Sequence, residues 1–251
     1  MKISLSFDVE PDIHTGKYLG ITRGLTVISS ILDKHNIKAT FFVTCDCLEK
    51  YPEIFQHLRK QGHEIALHGY KHERFDNLSI KDKEIHIQKA ILCFQKHLNY
   101  TPEGFRAPQH SIDSETLDLL EKYDFKYDSS FTPLNILQII FFPEKIKHYK
   151  YFFHSLKKQK IRKKLYELPI SSFFIPAVSL VFRVFPFFLI NNYFNILKIF
   201  NKNIIIYMHS WDFVDVEGRI SSLFSKERLI NSLNNFLSVK GNKFYRLIDL
   251  I

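Results

Sequence analysis

The 251-residue sequence predicts an α/β fold in which parallel strands alternate with helices. Short apolar runs alternate with longer segments whose apolar residues recur at helical spacing, and this order repeats from Lys2 to Tyr127. The chain is also long enough to bury one full core, as α/β barrels of about this size do. We therefore expect a parallel sheet closed into a barrel, in a single domain spanning residues 1–251.

The first half of the chain carries the clearest pattern. Strands are predicted at Lys2–Val9, Ala39–Val43, Glu64–Leu67, Phe105–Arg106 and Phe125–Tyr127. Helices are predicted at Thr22–His35, Pro52–Gln61, Ile80–Leu98 and Glu115–Tyr123, the last with Ser114 as its N-cap. A later buried strand is predicted at Ile204–Met208, directly before His209.

Residues 134–200 form the least regular region, and we expect them to be an irregular, variable part of the domain. Within them Phe173–Ile190 is strongly apolar, but Arg183 lies in its middle and Pro176 and Pro186 interrupt it. A membrane span is therefore not predicted. We expect a loop that is buried or faces a membrane, or that lies on a lipid surface with the help of the basic run upstream.

Composition restricts the classes of partner. The chain is 45% hydrophobic and 15% aromatic, which indicates a folded protein rather than a disordered one. Its net charge of +9 favours an anionic partner, such as a phosphate-bearing glycan, a lipid or a membrane surface. No nucleic-acid motif accompanies the charge, so nucleic acid is not expected as a partner. The basic run Lys157–Lys164 is expected to be a solvated helix face.

The cysteines and the first residues predict a compartment. Cys45, Cys47 and Cys93 are an odd number and cannot all pair, so they are expected to be small core residues in a reducing environment. Residues Met1–Val9 form a strand pattern rather than a signal peptide. The expectation is a cytoplasmic protein, at or near the inner membrane surface.

Two histidines at positions 68 and 72 follow the predicted strand Glu64–Leu67. In an extended strand they would lie about 13 Å apart, whereas one helical turn separates such residues by about 6 Å. Both imidazoles can reach one cation only if the chain turns at Gly69, and glycine permits such a turn. Because ligands of parallel α/β folds bind at the carboxyl ends of strands, His68 and His72 are candidate metal ligands.

Asp8 and Glu10 supply the carboxylate that such a metal site needs. Strand alternation points both side chains to one face, about 7 Å apart, and points Val9 to the other. Two adjacent buried carboxylates without a cation would be costly. The alternative is a strand end that is open to water.

The order of several short motifs resembles the polysaccharide deacetylase family, also called NodB-like. The motifs are Ser6-Phe7-Asp8-Val9-Glu10, Ala39–Val43, Gly62-His63-Glu64 with His68 and His72, Phe105-Arg106-Ala107-Pro108, Tyr127–Ser130, Glu167-Leu168-Pro169 and Tyr207–Asp212. The resemblance spans nearly the whole chain. It implies a distorted (β/α) barrel of about seven units that removes acetyl groups from N-acetylated sugars with a divalent metal, for which Zn²⁺ is the first expectation.

The resemblance also implies roles for the motif residues. The commonest first motif has two consecutive Asp residues, but here Val9 takes the second place, as in the Asp-x-Glu branch. Glu10, His68 and His72 are therefore expected to bind the metal and Asp8 to be the general base, although the two carboxylates can exchange roles.

The resemblance also implies residues for the remaining steps of amide hydrolysis. The backbone N–H of Gln109, after Pro108, is expected to bind the carbonyl oxygen of the substrate as it becomes negative, and His209 is expected to protonate the leaving amine. Trp211 is a candidate sugar-stacking surface, although the only tryptophan of a chain is more often core packing.

Two residues are expected to support these groups. Arg106 would orient Asp8 and keep it ionised, unless it is an ordinary surface cation. Asp128 would support His209, which could alternatively be a buried histidine without a catalytic role.

Three functions remain open from the sequence. The first is a metal-dependent N-deacetylase of an N-acetylhexosamine in a glycan or glycan precursor, anionic or lipid-linked. The second is a hydrolase of another non-peptide C–N bond, in a ureide or cyclic amide, which the retention of both His68 and His72 disfavours in its metal-free form. The third is a noncatalytic carbohydrate-binding protein.

Overall fold

The computed structural model describes residues 2–12, 15–133, 135, 154–215 and 225–251. Its strands are β1 (Lys2–Val9), β2 (Thr40–Val43), β3 (Glu64–Leu67), β4 (Gly104–Phe105), β5 (Tyr127–Asp128), β6 (Gln159–Lys160), β7 (Tyr166–Glu167), β8 (Ser172–Phe173), β9 (Ile175–Pro176), β10 (Asn203–His209) and β11 (Lys243–Phe244). Its α-helices are α1 (Leu25–Lys34), α2 (Cys45–Lys50), α3 (Pro52–Lys60), α4 (Ile80–Leu98), α5 (Ser114–Lys122), α6 (Ser179–Val184), α7 (Phe187–Phe200) and α8 (Lys226–Leu237). Shorter helical turns lie at Gly20–Gly24, Phe75–Asn77, Pro108–His110, Ser210–Phe213 and Ile248–Leu250.

Nine of the described strands form one curled sheet, and β8 and β9 form a separate hairpin. Neighbouring strands run parallel in the order β10, β1, β2, β3, β4, β5, β7, with β6 antiparallel on β7 and β11 parallel beside β1. Backbone hydrogen bonds then link the segment after β7 to β10: the Ser171 N–H donates to the Ile205 carbonyl (3.1 Å) and the Tyr207 N–H to the Ala177 carbonyl (2.9 Å). The predicted distorted barrel of about seven units is confirmed.

Alternation along each strand gives the sheet two different faces. On β1, Phe7 and Val9 point outward into the core cluster that the helices cover, as do the other apolar residues of odd number on this strand. On the inner face, Ser6 donates its hydroxyl to the Ile206 carbonyl of β10 (2.9 Å). Asp8 and Glu10 share that inner face and are each 1% exposed, so the interior of the barrel is polar at this edge.

Most predicted elements are present within a few residues of the expected bounds. The N-cap of α5 is Asp113, whose carboxylate accepts the N–H of Thr116 (2.9 Å), and the prediction of Ser114 is therefore wrong by one residue. Both residue types cap well, and the extended backbone at Asp113 shows that the helix begins one position earlier. Helices α2 and α8 were not predicted.

The region from Phe173 to Ile190 is not a loop, so that expectation is wrong. It contains the β8–β9 hairpin, α6 and the start of α7. Pro186 is the N-cap of α7 and therefore begins a helix rather than interrupting one. The expected irregular segment at 134 and 136–153 lies outside the described residues.

The basic run also differs from its prediction. It forms strand β6 and an exposed turn rather than a helix face, and Arg162 pairs with Asp118 on α5 at 2.6 Å. None of the described helices has the length and apolar character that a membrane crossing requires. Cys45, Cys47 and Cys93 are free, buried thiols, as predicted.

Candidate metal centre and active site

The chain turns between the two histidines, as the spacing requires. Gly69 has φ +87°, a conformation that L side chains rarely adopt, and a Cβ there would lie 2.9 Å from the Lys71 carbonyl oxygen. His68 directly follows β3, and the ring centroids of His68 and His72 lie 5.4 Å apart. The turn at Gly69 is what brings the two imidazoles together.

Glu10 completes a group of three candidate ligands. Its Oε2 lies 3.3 Å from His68 Nε2 and 2.5 Å from His72 Nε2. One ligand atom from each of the three residues lies within 4.8 Å of the other two. Glu10 and His68 are each 1% exposed, so this is a buried group at the carboxyl ends of β1 and β3.

The donor set fits a divalent metal. Both carboxylate oxygens of Glu10 are buried and receive no hydrogen bond from a described residue, although two ring nitrogens lie close to them. Ring nitrogens and a carboxylate oxygen that approach without hydrogen-bond geometry are placed as ligands of a common ion would be. His68 Nδ1 lies 2.8 Å from the Arg106 carbonyl, so Nδ1 carries the proton and Nε2 presents its lone pair.

The electrostatics of the group also favour a cation. Burial raises the pKa of Glu10, but contacts with His68 and His72 and the charge of His209 outweigh burial and hold that pKa well below its usual value. Burial lowers the pKa of His68, but the negative charge of Asp8 and its contact with Glu10 outweigh burial and raise it. The pocket thus stabilises positive charge between its ligands.

Asp8 has a different partner from Glu10. Its Oδ1 accepts a hydrogen bond from Arg106 Nη1 (2.8 Å), and its Oδ2 lies 3.4 Å from His68 Nε2. Arg106 is 0% exposed and also donates to the Ser129 carbonyl and to the hydroxyls of Ser6 and Ser129. It is therefore a buried orienting cation and not a surface residue.

His209 lies on the opposite side of the pocket. Its Nε2 is 3.8 Å from Glu10 Oε1 and 2.5 Å from the Tyr207 hydroxyl. Its Nδ1 is 3.6 Å from Asp212 Oδ2, and the same oxygen accepts the His209 backbone N–H at 2.9 Å. The side chain is 20% exposed, so His209 faces both the candidate metal ligands and the opening of the site.

The carboxylate that supports His209 is Asp212, and the assignment of Asp128 to this role is wrong. No ion pair joins Asp128 to His209 within the described part of the chain, because Asp128 lies at the end of β5 and bonds elsewhere. Burial raises the pKa of Asp212, but hydrogen bonds and charge from His209 outweigh burial, and the net shift is downward. Asp212 is thus an ionised partner for the imidazole.

Asp128 instead holds the loop after β4. Its Oδ1 accepts the Ser130 hydroxyl at 2.6 Å, and Ser130 Oγ accepts the backbone N–H of Ala107 at 2.8 Å. Burial raises the pKa of both Asp128 and Glu167, its hydrogen-bonded neighbour, and the proximity of the two carboxyls raises that of Glu167 further. Burial beside Asp128 thus favours the protonated form of Glu167.

The loop that Asp128 supports carries the predicted carbonyl-binding group. Pro108 is buried and Gln109 is exposed, with φ 53° and ψ 23° at Gln109. The left-handed backbone at Gln109 and His110 bends the chain sharply after Arg106-Ala107-Pro108. The role of the Gln109 N–H remains a prediction.

Trp211 does not present a sugar-stacking face. Its ring is 6% exposed and stacks on His209, with ring centroids 3.8 Å apart and an interplanar angle of 16°. One face of the indole is thus covered by the imidazole that it orients. The expectation of a sugar platform is wrong because the residue lies beneath His209 rather than beside the opening.

The turn Gly20–Gly24 fixes the position of the His209 loop. A Cβ on Gly24 would lie 2.2 Å from the Ser210 carbonyl oxygen, and one on Gly20 would lie 2.7 Å from the Trp211 nitrogen. Asp12 anchors this turn by accepting the N–H groups of Leu19 and Gly20. Asp12 was not among the predicted site residues.

Other residues that the sequence analysis missed are Asp212, Tyr207 and Ser129. Asp212 and Tyr207 lie within the motif that pointed to His209, so their spacing from that histidine was the available signal.

A second group that could hold a metal, Glu49, Cys93 and His97, lies between α2 and α4, and its glutamate is exposed.

The chain belongs to the polysaccharide deacetylase family, whose pattern residues 1–127 match. It is 35% identical over 121 residues to the peptidoglycan deacetylase-like protein FGM2 of Gibberella zeae, covering 47% of this chain and 36% of that protein. It is 30% identical over 131 residues to a peptidoglycan deacetylase of Helicobacter pylori, covering 50% of this chain and 44% of that protein. The chain thus matches less than half the length of these relatives.

The fold is shared more widely than the sequence. A crystal structure of Puue allantoinase superposes on 99% of this chain and 88% of its own length, with a TM-score of 0.71 and 16% identity. At that identity the likeness shows the fold alone.

Proposed function

We propose that this protein is a metal-dependent hydrolase that removes the N-acetyl group from an N-acetylhexosamine in a glycan or glycan precursor. The observation that carries the proposal is the convergence of Glu10, His68 and His72 beside Asp8 and opposite His209. Peptidoglycan deacetylases among the relatives support the same reaction class.

The metal is proposed to be Zn²⁺, held by Glu10 Oε2, His68 Nε2 and His72 Nε2. Two imidazoles and one carboxylate are ligands that zinc prefers, and three protein ligands leave room for water and substrate. When bound, the ion would polarise the acetyl carbonyl and lower the pKa of water.

The chain's own residues would then perform two proton transfers. Asp8, held by Arg106, accepts a proton from the water that attacks the acetyl carbon. The N–H of Gln109 donates to the carbonyl oxygen as it becomes negative. His209, oriented by Asp212 and Trp211, gives a proton to the sugar nitrogen as the C–N bond breaks, and the products are acetate and a free amine.

The substrate is proposed to be an acetylated glycan that is anionic or lipid-linked. The net charge of +9 favours an anionic ligand over a neutral one.

A ureide or cyclic-amide hydrolase is the second candidate, because the fold of an allantoinase covers nearly all of this chain. The intact trio of candidate ligands favours the deacetylase over a metal-free relative.

Acetate release from N-acetylglucosamine oligomers, measured with zinc-loaded protein, tests the proposal. Allantoin serves as the competing substrate in a parallel assay. Acetate release that a chelator abolishes and zinc restores is the expected result. Turnover of allantoin with no turnover of any acetylated sugar would replace the first candidate by the second.

A further inference from the structure

Helix α7 exposes an unusual amount of apolar surface. We define the α7 patch as the exposed side chains of Phe187, Phe188, Leu189, Ile196, Ile199 and Phe200. Ile199 is 78% exposed and Phe188 is 63% exposed. A helix on the surface of a water-soluble domain normally turns a polar face outward, and large contiguous apolar areas mark interaction sites.

The exposure does not come from a loosely held helix. The other side of α7 is buried through Ile190, Phe194 and Leu197. Phe194 packs on Phe236 of α8, with ring centroids 4.3 Å apart. The helix is therefore anchored on one side, while its other side exposes large apolar side chains with Asn192 and Asn195 between them.

Positive charge adjoins the patch. Lys198 and Lys202, at the end of α7, line one surface depression together with Lys2, Lys158 and Lys243. None of these five lysines has a carboxylate within 4.0 Å among the described residues. The sequence from residue 168 to residue 211 contains no aspartate or glutamate, so nothing on this segment would repel an anionic surface.

We propose that the α7 patch docks on the surface of a lipid bilayer that contains anionic phospholipid. The apolar side chains would enter the boundary between head groups and acyl chains, while the lysines meet the phosphates. Two weak signals of this kind together give stable peripheral binding. A second copy of the chain is a poorer partner, because a symmetric contact through the same face would bring the two lysine clusters near each other.

The lysines beside the patch lie away from the candidate active site. Lys2, Lys202 and Lys243 lie at or next to the amino ends of β1, β10 and β11, whereas the metal-ligand group lies at the carboxyl ends of β1 and β3. Helix α7 thus reaches along the flank of the barrel to the edge opposite the site. Binding to a bilayer through α7 is independent of the proposed deacetylation.

Co-sedimentation with vesicles tests the proposal, using phosphatidylcholine alone or with phosphatidylglycerol. The wild-type protein is expected to bind the mixed vesicles more strongly, and added salt is expected to weaken that binding. The double variant Phe188→Ser with Ile199→Ser should bind about tenfold less tightly or worse, because it removes inserted apolar surface. Lys198→Gln with Lys202→Gln should also lose about tenfold, but only on the anionic vesicles.

Matched controls lie on α4, away from the patch. Leu92 is 63% exposed, as Phe188 is, so Leu92→Ser should leave vesicle binding unchanged. Lys81→Gln with Lys96→Gln controls for the loss of two charges. Thermal unfolding of each variant, followed by circular dichroism, is expected to match the wild type, since all of these residues except the half-buried Lys198 are exposed.

Three results would overturn the proposal. The first is no binding of the folded wild type to mixed vesicles. The second is equal losses for the α7 and α4 variants. The third is a wild-type dimer in light scattering that Phe188→Ser with Ile199→Ser converts to monomer, which would assign the patch to self-association. None of these measurements uses substrate, so their outcome does not test the deacetylase proposal.

Discussion

Two pairs of buried carboxyl groups lie at the carboxyl edge of the barrel, and their surroundings differ. Asp8 and Glu10 at the end of β1 face Arg106 and two histidines. Asp128 and Glu167, paired across β5 and β7, receive their described hydrogen bonds from Ser130, the Phe131 N–H and each other. The first pair therefore includes a carboxylate that lies directly against Arg106, whereas the hydrogen bonds of the second pair come from neutral groups.

The difference indicates which buried carboxyl groups are ionised and can therefore bind a metal or accept a proton. A cationic neighbour offsets desolvation and holds a carboxylate ionised, whereas neutral donors do not, and the pKa of Glu167 rises well above its usual value. An ionised acid can bind a metal or accept a proton. A protonated acid cannot do either until it loses its proton, although it can donate a hydrogen bond or a proton.

Glu10→Gln tests the first half of this comparison and should have the largest effect. An amide cannot supply the anionic ligand, so we expect the zinc content of the purified protein to fall severalfold and acetate release to fall by about 10³ or more. Elemental analysis and the acetate assay measure the two quantities. Full zinc content in the variant would remove Glu10 from the coordination group.

Asp8→Asn separates the general base from the ligands. The amide keeps the contact with Arg106 but cannot accept the proton of water, so kcat should fall by about 10²–10⁴ while zinc content stays near that of the wild type. Loss of metal with loss of activity would instead show that Asp8 and Glu10 exchange roles. A nearly normal kcat would exclude Asp8 as the base.

Asp212→Asn extends the comparison to the carboxylate beside His209. Removing its charge weakens the support of the protonated His209, so kcat should fall by about 10- to 100-fold with little change in zinc content. Asp128→Asn is the matched control for the rejected assignment. If Asp128→Asn altered the pH dependence of kcat and Asp212→Asn did not, the assignment of Asp212 would be wrong.

Glu167→Gln tests the second half of the comparison and should be nearly silent. Glutamine has the shape of the protonated acid and keeps a donor and an acceptor, so kcat should change by less than about threefold. The raised pKa of Glu167 means that its contribution to stability is fully present at low pH and is lost as pH rises from the unfolded-state value toward the folded one. By urea unfolding, the variant should therefore be as stable as the wild type below pH 4.5 and more stable than the wild type at pH 7.

His63→Asn tests whether burial without an oppositely charged partner also keeps a base neutral, and it should have the smallest effect. His63 Nδ1 accepts the Ala39 N–H at 3.1 Å, and burial, with help from Lys38, lowers the pKa of His63 to about 4. The stability that depends on neutral His63 is present above pH 6.5 and is lost as pH falls toward 4. Asparagine keeps the hydrogen-bond acceptor but does not titrate. Between pH 6.5 and pH 4 the free energy of unfolding of the variant should therefore fall by about 1 to 2 kcal/mol less than that of the wild type. Identical acid-unfolding curves would contradict the assignment.

The sequence predicted the fold and the centre of the site for a clear physical reason. Strand alternation determines that Asp8 and Glu10 share a face, and a glycine between two histidines permits the turn that brings them together. Both features are local in the chain. They could therefore be inferred without knowing which strands are neighbours.

The errors concern contacts that depend on packing. Whether Asp128 or Asp212 reaches His209 depends on how the loop after β10 sits against the turn Gly20–Gly24, and no local pattern contains that information. The burial of Trp211 under His209 has the same origin. The helices in 173–200 were missed because an apolar run of this length, with two prolines, does not show by periodicity which face is buried.

An anomalous difference map, recorded at the zinc edge from crystals of active, zinc-loaded protein, would show whether Glu10, His68 and His72 hold one ion. We predict a peak about 2.0 to 2.2 Å from the Glu10 carboxylate and from Nε2 of His68 and His72. A map from active crystals with no peak between these three side chains, or with its only peak at Glu49, Cys93 and His97, would contradict the account.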